Sequence, residues 1–167
     1  MSLTLTLTVD EVLVQSAFTR LADALTDMTV LMDNVGSALV SSARHRITVT
    51  NTGPDGTAWT QSFRAKHRGG KTLYATGQLE RSLTVRAAAD HVQVGSAEIH
   101  AAIHQFGGVI KAKTGEGLSF ALADGSRHVV SQVTMPARPY LGVSPDDEAT
   151  ILELGQLHFS DIIRGLQ

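Results

Sequence analysis

The sequence predicts an α+β fold, and three observations predict it. Apolar residues recur at helical spacing from Asp10 to Arg46. Short β-branched and apolar runs, separated by turn residues, fill the stretch from Leu83 to Val133. Ser144-Pro145-Asp146-Asp147-Glu148 then opens a last amphipathic helix. The expected order is a long N-terminal helix or helix pair, a mostly antiparallel β-sheet with one short helix, and a C-terminal helix. At 167 residues the chain is long enough for one proper core and short for two. A single domain is therefore expected: residues 1–50 mainly helical, 51–78 a long loop, 79–143 the sheet with its short helix, and 144–167 the C-terminal helix.

Taken in order, Leu3, Leu5, Leu7 and Val9 alternate with threonines at the period of a half-buried strand. Thr8-Val9-Asp10-Glu11 has capping-box spacing and predicts a helix start. Leu13, Ala17, Leu21 and Ala24 share one face of that helix, and Met28, Leu31, Met32, Val35 and Leu39 continue the period. A break near Thr26-Asp27 would make two helices of it. Asn51-Thr52-Gly53-Pro54-Asp55-Gly56 is dense turn chemistry that ends the helical part. No period is sustained from Thr57 to Thr76, where Trp59 reads as an anchor for the loop. Gln78 to Ser82 suits one helical turn, and 83–87 and 91–95 suit two strands of a hairpin. Ala97 to Phe106 has helical composition and stops at Gly107-Gly108, a good C-cap pair. Strands are expected over 109–113, 118–122 and 128–133, with turns at 114–117 and 124–126. In the last helix Ser144 is the N-cap, Pro145 takes N1, and acids fill the first turn, where the helix dipole favours them.

The strand and the last helix are joined by Met135-Pro136-Ala137-Arg138-Pro139-Tyr140-Leu141-Gly142. Two prolines three apart fix φ and push their predecessors into extended backbone, so this segment reads as a stiff strap. Pro-x-x-Pro also matches SH3-type ligands. Such ligands are exposed and disordered, and this segment is hemmed in by apolar residues, which favours a rigid connector.

Composition narrows the class. The hydrophobic fraction is 43% and the charged fraction 18%, ordinary for a soluble globular protein. With no cysteine, disulfides and thiolate metal sites are excluded. The N-terminus has no basic region before an apolar block, so it does not read as a signal peptide. The longest run free of Asp, Glu, Lys and Arg, Ile99 to Ile110, is far shorter than a membrane span. A soluble protein is expected.

Net charge is −2 but unevenly spread. Between Arg44 and Arg86 lie Arg44, Arg46, Arg64, Lys66, Arg68, Lys71, Arg81 and Arg86 against Asp55 and Glu80, whereas both ends of the chain are acidic. This layout suits head-to-tail contact between like subunits, and a solvated basic loop explains it equally.

Two patterns bear on chemistry. Ala65-Lys66-His67-Arg68-Gly69-Gly70-Lys71-Thr72 satisfies a relaxed phosphate-loop pattern, in which backbone amides cradle phosphates, Lys71 reaches the β/γ oxygens and Thr72 holds Mg²⁺. Its setting argues against that use, because the preceding Thr60-Gln61-Ser62-Phe63-Arg64 is polar and Gly77 interrupts the place of the long helix such a loop needs. His100 and His104 would share a helix face, but Ala101 stands where a metalloprotease motif has Glu. With no triad spacing in view, neither an enzyme, a cofactor nor a metal is expected.

Four segments, in order, resemble the phage virion morphogenesis (tail-completion) family of Mu type. They are Pro54-Asp55-Gly56 with Trp59; Leu73-Tyr74-Ala75-Thr76-Gly77-Gln78-Leu79 with Ser82-Leu83; Val94-Gly95-Ser96 with Ala102-Ile103-His104-Gln105-Phe106-Gly107-Gly108; and the strap from Met135 to Gly142. Ile99-His100-Ala101-Ala102 departs from the Tyr-Ala expected before the His-Gln pair. The resemblance implies a non-enzymatic structural protein of a tailed phage or prophage. It would act in tail completion or head–tail joining as a subunit of a homo-oligomeric ring around the DNA channel. Other tail or neck proteins would be its partners, and it would be found in the virion and, during assembly, in the host cytoplasm. Arg64, Lys66, Arg68 and Lys71 are then candidate contacts to a neighbouring subunit or, without sequence preference, to DNA in the channel.

Overall fold

The computed structural model describes residues 11–113, 117–121 and 126–165. Helix α1 spans Glu11–Thr26 and α2 spans Thr29–His45. The break falls at Asp27, whose Oδ1 accepts from the Thr29 amide at 3.0 Å and the Thr29 hydroxyl at 2.5 Å. A short carboxylate competing for local donors restarts the helix there. α2 runs on into a π-helical turn, Arg46–Thr50, closed by Asn51 in the left-handed region at φ 55°.

Helix α3 (Phe63–Arg68) lies in the stretch expected to be loop. It is capped by the Ser62 hydroxyl, which accepts from the Ala65 amide at 3.1 Å. Six residues are too few to show a helical period. Helix α4 (Gln78–Arg81) follows, and then strands β1 (Leu83–Ala87) and β2 (Val92–Ser96), an antiparallel pair in the register Val85↔Val94. α2 rests on this hairpin through Gly36, where a Cβ would stand 2.3 Å from Val85 Cγ1 and 2.7 Å from Val92 Cγ2.

Helix α5 is Ala101–Phe106, shorter than expected. The Ser96 hydroxyl accepts from the Glu98 amide at 3.1 Å and the Ala101 amide donates to the Glu98 carbonyl at 3.0 Å, so a turn occupies the expected first part of the helix. The remaining strands are β3 (Gly108–Lys111), β4 (Leu118–Ala121), β5 (Arg127–Val130) and β6 (Gln132–Met135). β3 pairs with β6 and β4 with β5, both antiparallel. Among the described residues the strands thus form three two-stranded ladders in place of one continuous sheet. Ser131 divides the run expected as one strand over 128–133. The expected strand over residues 3–9, most of the turn at 114–117 and the first residues of the turn at 124–126 lie outside the described residues.

Helix α6 (Pro145–Arg164) begins as the sequence predicts, with a capping box between Ser144 and Asp147. It packs along α2. The core gathers Val40, Ala43 and Ile47 of α2 and its π-helical turn with Trp59, Leu83 and Tyr140.

Candidate assembly surface

The strap is the point on which separate parts of the chain converge. Gln105 of α5 holds it with its side-chain amide: Oε1 accepts from the Tyr140 and Leu141 amides, both at 3.0 Å, and Nε2 donates to the Leu141 carbonyl at 2.9 Å. The Arg138 amide donates to the His104 carbonyl at 2.7 Å, and the Tyr140 hydroxyl donates to the Ala101 carbonyl at 3.3 Å. From the other side Trp59 Nε1 donates to the Pro139 carbonyl at 3.2 Å, and Arg138 Nε to the Thr60 carbonyl at 2.8 Å. Trp59 is therefore the loop anchor it was expected to be. Gly142, at φ +147°, passes so close to Pro54 that a Cβ would lie 2.6 Å from its Cγ.

Arg46 is buried beneath the strap. Its guanidinium donates to the Tyr140 and Gly142 carbonyls at 3.2 and 3.0 Å and pairs with the buried carboxylate of Asp147. Burial acts to raise the Asp147 pKa. The Ser144 amide, the Ser42 and Ser144 hydroxyls and the Arg46 charge outweigh it and hold the carboxyl below its ordinary value. The segments carrying the family resemblance are thus largely parts of one internal fastening, which sets where the exposed elements stand.

The four candidate contact residues divide into two kinds. Arg64 is half-buried and organises its own loop: it donates to the Gly69 carbonyl at 3.3 Å, to the Tyr74 carbonyl at 2.8 Å and to the Lys71 carbonyl. Lys71 Nζ donates to the Val49 carbonyl at 2.6 Å, closing the π-helical turn. Lys66 and Arg68 stand exposed in the last turn of α3. The phosphate-loop-like segment does not form a strand–loop–helix unit. Ala65 to Arg68 is already helix, no helix starts between Thr72 and Gly77, and the buried Thr72 gives its amide to Asn51 Oδ1 at 2.7 Å. The Lys71 amine that would reach a phosphate is turned back onto the chain.

His100 and His104 line one cleft of about 140 Å³ with Leu73, Gly77, Gln78 and Glu98. His100 sits at the N-cap of α5, so only His104 is within the helix. Among the described residues no three His, Asp or Glu side chains gather as a metal would need. Burial lowers the His104 pKa below that of a free histidine, helped by the positive charges of Arg138 and His100, and its buried Nδ1 has no hydrogen-bond partner among the described residues. Gln78 Nε2 meets Glu98 Oε1 at 2.7 Å on the rim.

Two elements display apolar side chains outward. The β3–β6 and β4–β5 ladders are nested in one hairpin, linked by the Ala112 amide donating to the Ser131 carbonyl at 2.9 Å. All of β3 is exposed, as are Phe120 and Val129, and Lys111, Lys113 and Arg127 stand on the same arm. A lone two-stranded ribbon is marginal in water and gains stability from a further strand or helix. Helix α1 buries none of its sixteen residues. None of this surface is legible in the sequence, because α1 has the same apolar spacing as a core helix.

A clamped core thus carries two elements whose apolar side chains face outward. The chain belongs to the phage virion morphogenesis family, whose sequence model matches residues 9–160. It is similar to Mu-like prophage FluMu G protein 2 of Haemophilus influenzae, at 33% identity over 90% of this chain and 92% of that protein. It is also similar, at 28% identity over 98% of this chain and 99% of the relative, to protein G of Escherichia phage Mu, whose name refers to capsid assembly. No solved structure matches it. No described helix is long and apolar enough to cross a membrane.

Proposed function

We propose that this virion morphogenesis protein is a non-enzymatic structural subunit that completes the tail and joins it to the head, closing into a homo-oligomeric ring around the DNA channel. The observation that carries this reading is the exposure of apolar side chains on α1 and on the β-arm, Val14, Phe18, Val109 and Val129 among them. Regular elements with apolar faces in water mark surfaces made for other proteins. The acidic–basic–acidic charge order supports contact between like subunits, with Lys66 and Arg68 of α3 meeting a neighbour's acidic helix or channel DNA. Arg64 and Lys71 serve that contact indirectly, by shaping the loop. In this reading the chain needs no cofactor, is made in the host cytoplasm and ends in the virion beside other tail or neck proteins.

Light scattering over a range of concentrations tests self-assembly. The expected result is a defined multimer seen as rings by electron microscopy, and a monomer at every concentration contradicts ring closure by the free chain. Reversing Lys66 and Arg68 to Glu is expected to block joining or multimer formation while the circular dichroism spectrum stays unchanged. Fully infectious particles carrying that variant would sink the role given to α3.

A further inference from the structure

Beside the β-arm and α1, the described residues carry a third apolar feature. Between α2 and α6 runs an open groove of about 600 Å³, walled by Leu31 and Val35 on one side and Ile151, Leu152, Phe159 and Ile163 on the other. Leu152 is 68% exposed and Ile163 54%, although both are apolar residues of α6. Gly155 lies in the groove lining, and a Cβ built there would touch nothing, so a bulky side chain can come down onto the helix backbone.

Helix α1 has the dimensions to fill such a groove. Val14, Phe18 and Leu25 lie along one side of it, beside the half-buried Ala17, Leu21 and Ala24, and Phe18 is 68% exposed. Val14 to Leu25 spans ~17 Å of helix, and Ile151 to Ile163 spans ~18 Å. Within one chain α1 packs against α6, yet no residue of α1 lines the groove. Arg20 Nη1 donates to the Gly165 carbonyl at 3.1 Å, which holds α1 across the C-terminal end of α6. The link to α2 is only Asp27 and Met28, and the Met28 amide is tied to the Ala89 carbonyl at 3.0 Å.

We propose that α1 of one copy docks in the α2/α6 groove of the next copy, with Phe18 seated over Gly155. This inference rests on the ring reading above and names the contact that closes it. A helix of this length laid in a groove removes on the order of 1,000 Å² of surface from water over the two copies, which meets the threshold of a specific interface. Because each copy offers one helix and one groove, the contact is heterologous and repeats head to tail, the arrangement from which rings close.

The chain has no cysteine, so disulfide mapping starts from a blank background. Phe18→Cys and Leu152→Cys are made in separate chains with different affinity tags, mixed and oxidised. A disulfide forms only where Cα atoms come within ~7 Å. The expected product is a dimer carrying both tags, with none when Thr84→Cys, on the exposed side of β1, replaces Leu152→Cys. In the double variant, covalent multimers are expected. A disulfide closed within single chains would instead show α1 folding into its own groove and would overturn the proposal. Phe18→Asp, at an exposed position that does not threaten the fold, is expected to lower the multimer mass at least two-fold at equal concentration. If multimers persist unchanged in Phe18→Asp and no mixed-tag disulfide appears, the docking is overturned while the ring reading stands. If the unmodified chain stays monomeric and no mixed-tag disulfide appears, both fall.

Discussion

Replacing Asp147 with asparagine takes away the carboxylate set against Arg46 while leaving the arginine buried. Arg46 is 5% exposed and Asp147 8%, so solvent cannot substitute for the lost partner. The guanidinium keeps the Tyr140 and Gly142 carbonyls at 3.2 and 3.0 Å, but these are dipoles and not a countercharge. Breaking one side of a buried ion pair costs about 3–5 kcal/mol. For a chain of this size each kcal/mol shifts Tm by roughly 2–4 °C, which places the drop at roughly 6–20 °C. Thermal and urea unfolding followed by circular dichroism measure it. Burial also penalises the intact pair, so the double variant Arg46→Met/Asp147→Leu is expected to lose far less than the two single changes added together. A Tm drop under about 2 °C for Asp147→Asn would refute the reasoning, as would additive losses in the double variant. In acid the sign follows the depressed carboxyl: its contribution is full above the unfolded value near 3.8 and is lost as pH falls through the lower folded value.

Three further outcomes concern the strap and the histidine beside it. Gln105→Ala removes three hydrogen bonds at once and leaves the Tyr140 and Leu141 amides without acceptors; destabilisation of about 1–3 kcal/mol in urea unfolding is expected, and a loss below about 0.5 kcal/mol would contradict the clamp. Gly142→Ala forces a Cβ onto Pro54 at a positive φ, so it should destabilise by more than about 1 kcal/mol, whereas an unchanged or raised urea midpoint would show that the strap has room to shift. His104 has its pKa below the ordinary 6.5, so the unfolded chain takes up its proton first, and stability present above that pH drains as pH falls. His104→Leu should flatten the stability curve below pH ~6.5 relative to the parent, and parallel curves would refute this assignment.

Local chemistry is the legible part of the sequence. Ser144 caps the last helix as expected, Asp27 divides the helices, and Trp59 anchors its loop, because each effect acts between near neighbours or within a recognisable turn. Helix α3 leaves no mark in the sequence pattern because six residues cannot show a period and its cap, Ser62, sits in a polar stretch. The basic residues show the same limit differently. Arg64 reaches a carbonyl 10 residues away and Lys71 one 22 residues away, so their charge was visible while their acceptors were not. Arg46 and Asp147 are 101 residues apart, and nothing local marks either as a buried partner. The exposure of α1 was hidden because amphipathic spacing says that a face will be covered, without saying by which chain.

The reading of this protein as the piece that completes the tail and joins it to the head is tested most directly by electron microscopy of lysates from a phage whose copy of this gene has been disrupted. Filled heads and separate tails, present together and unjoined, with joining restored by the intact protein and not by Phe18→Asp, is the predicted result. Missing or malformed heads would contradict it and place the protein in building the capsid itself.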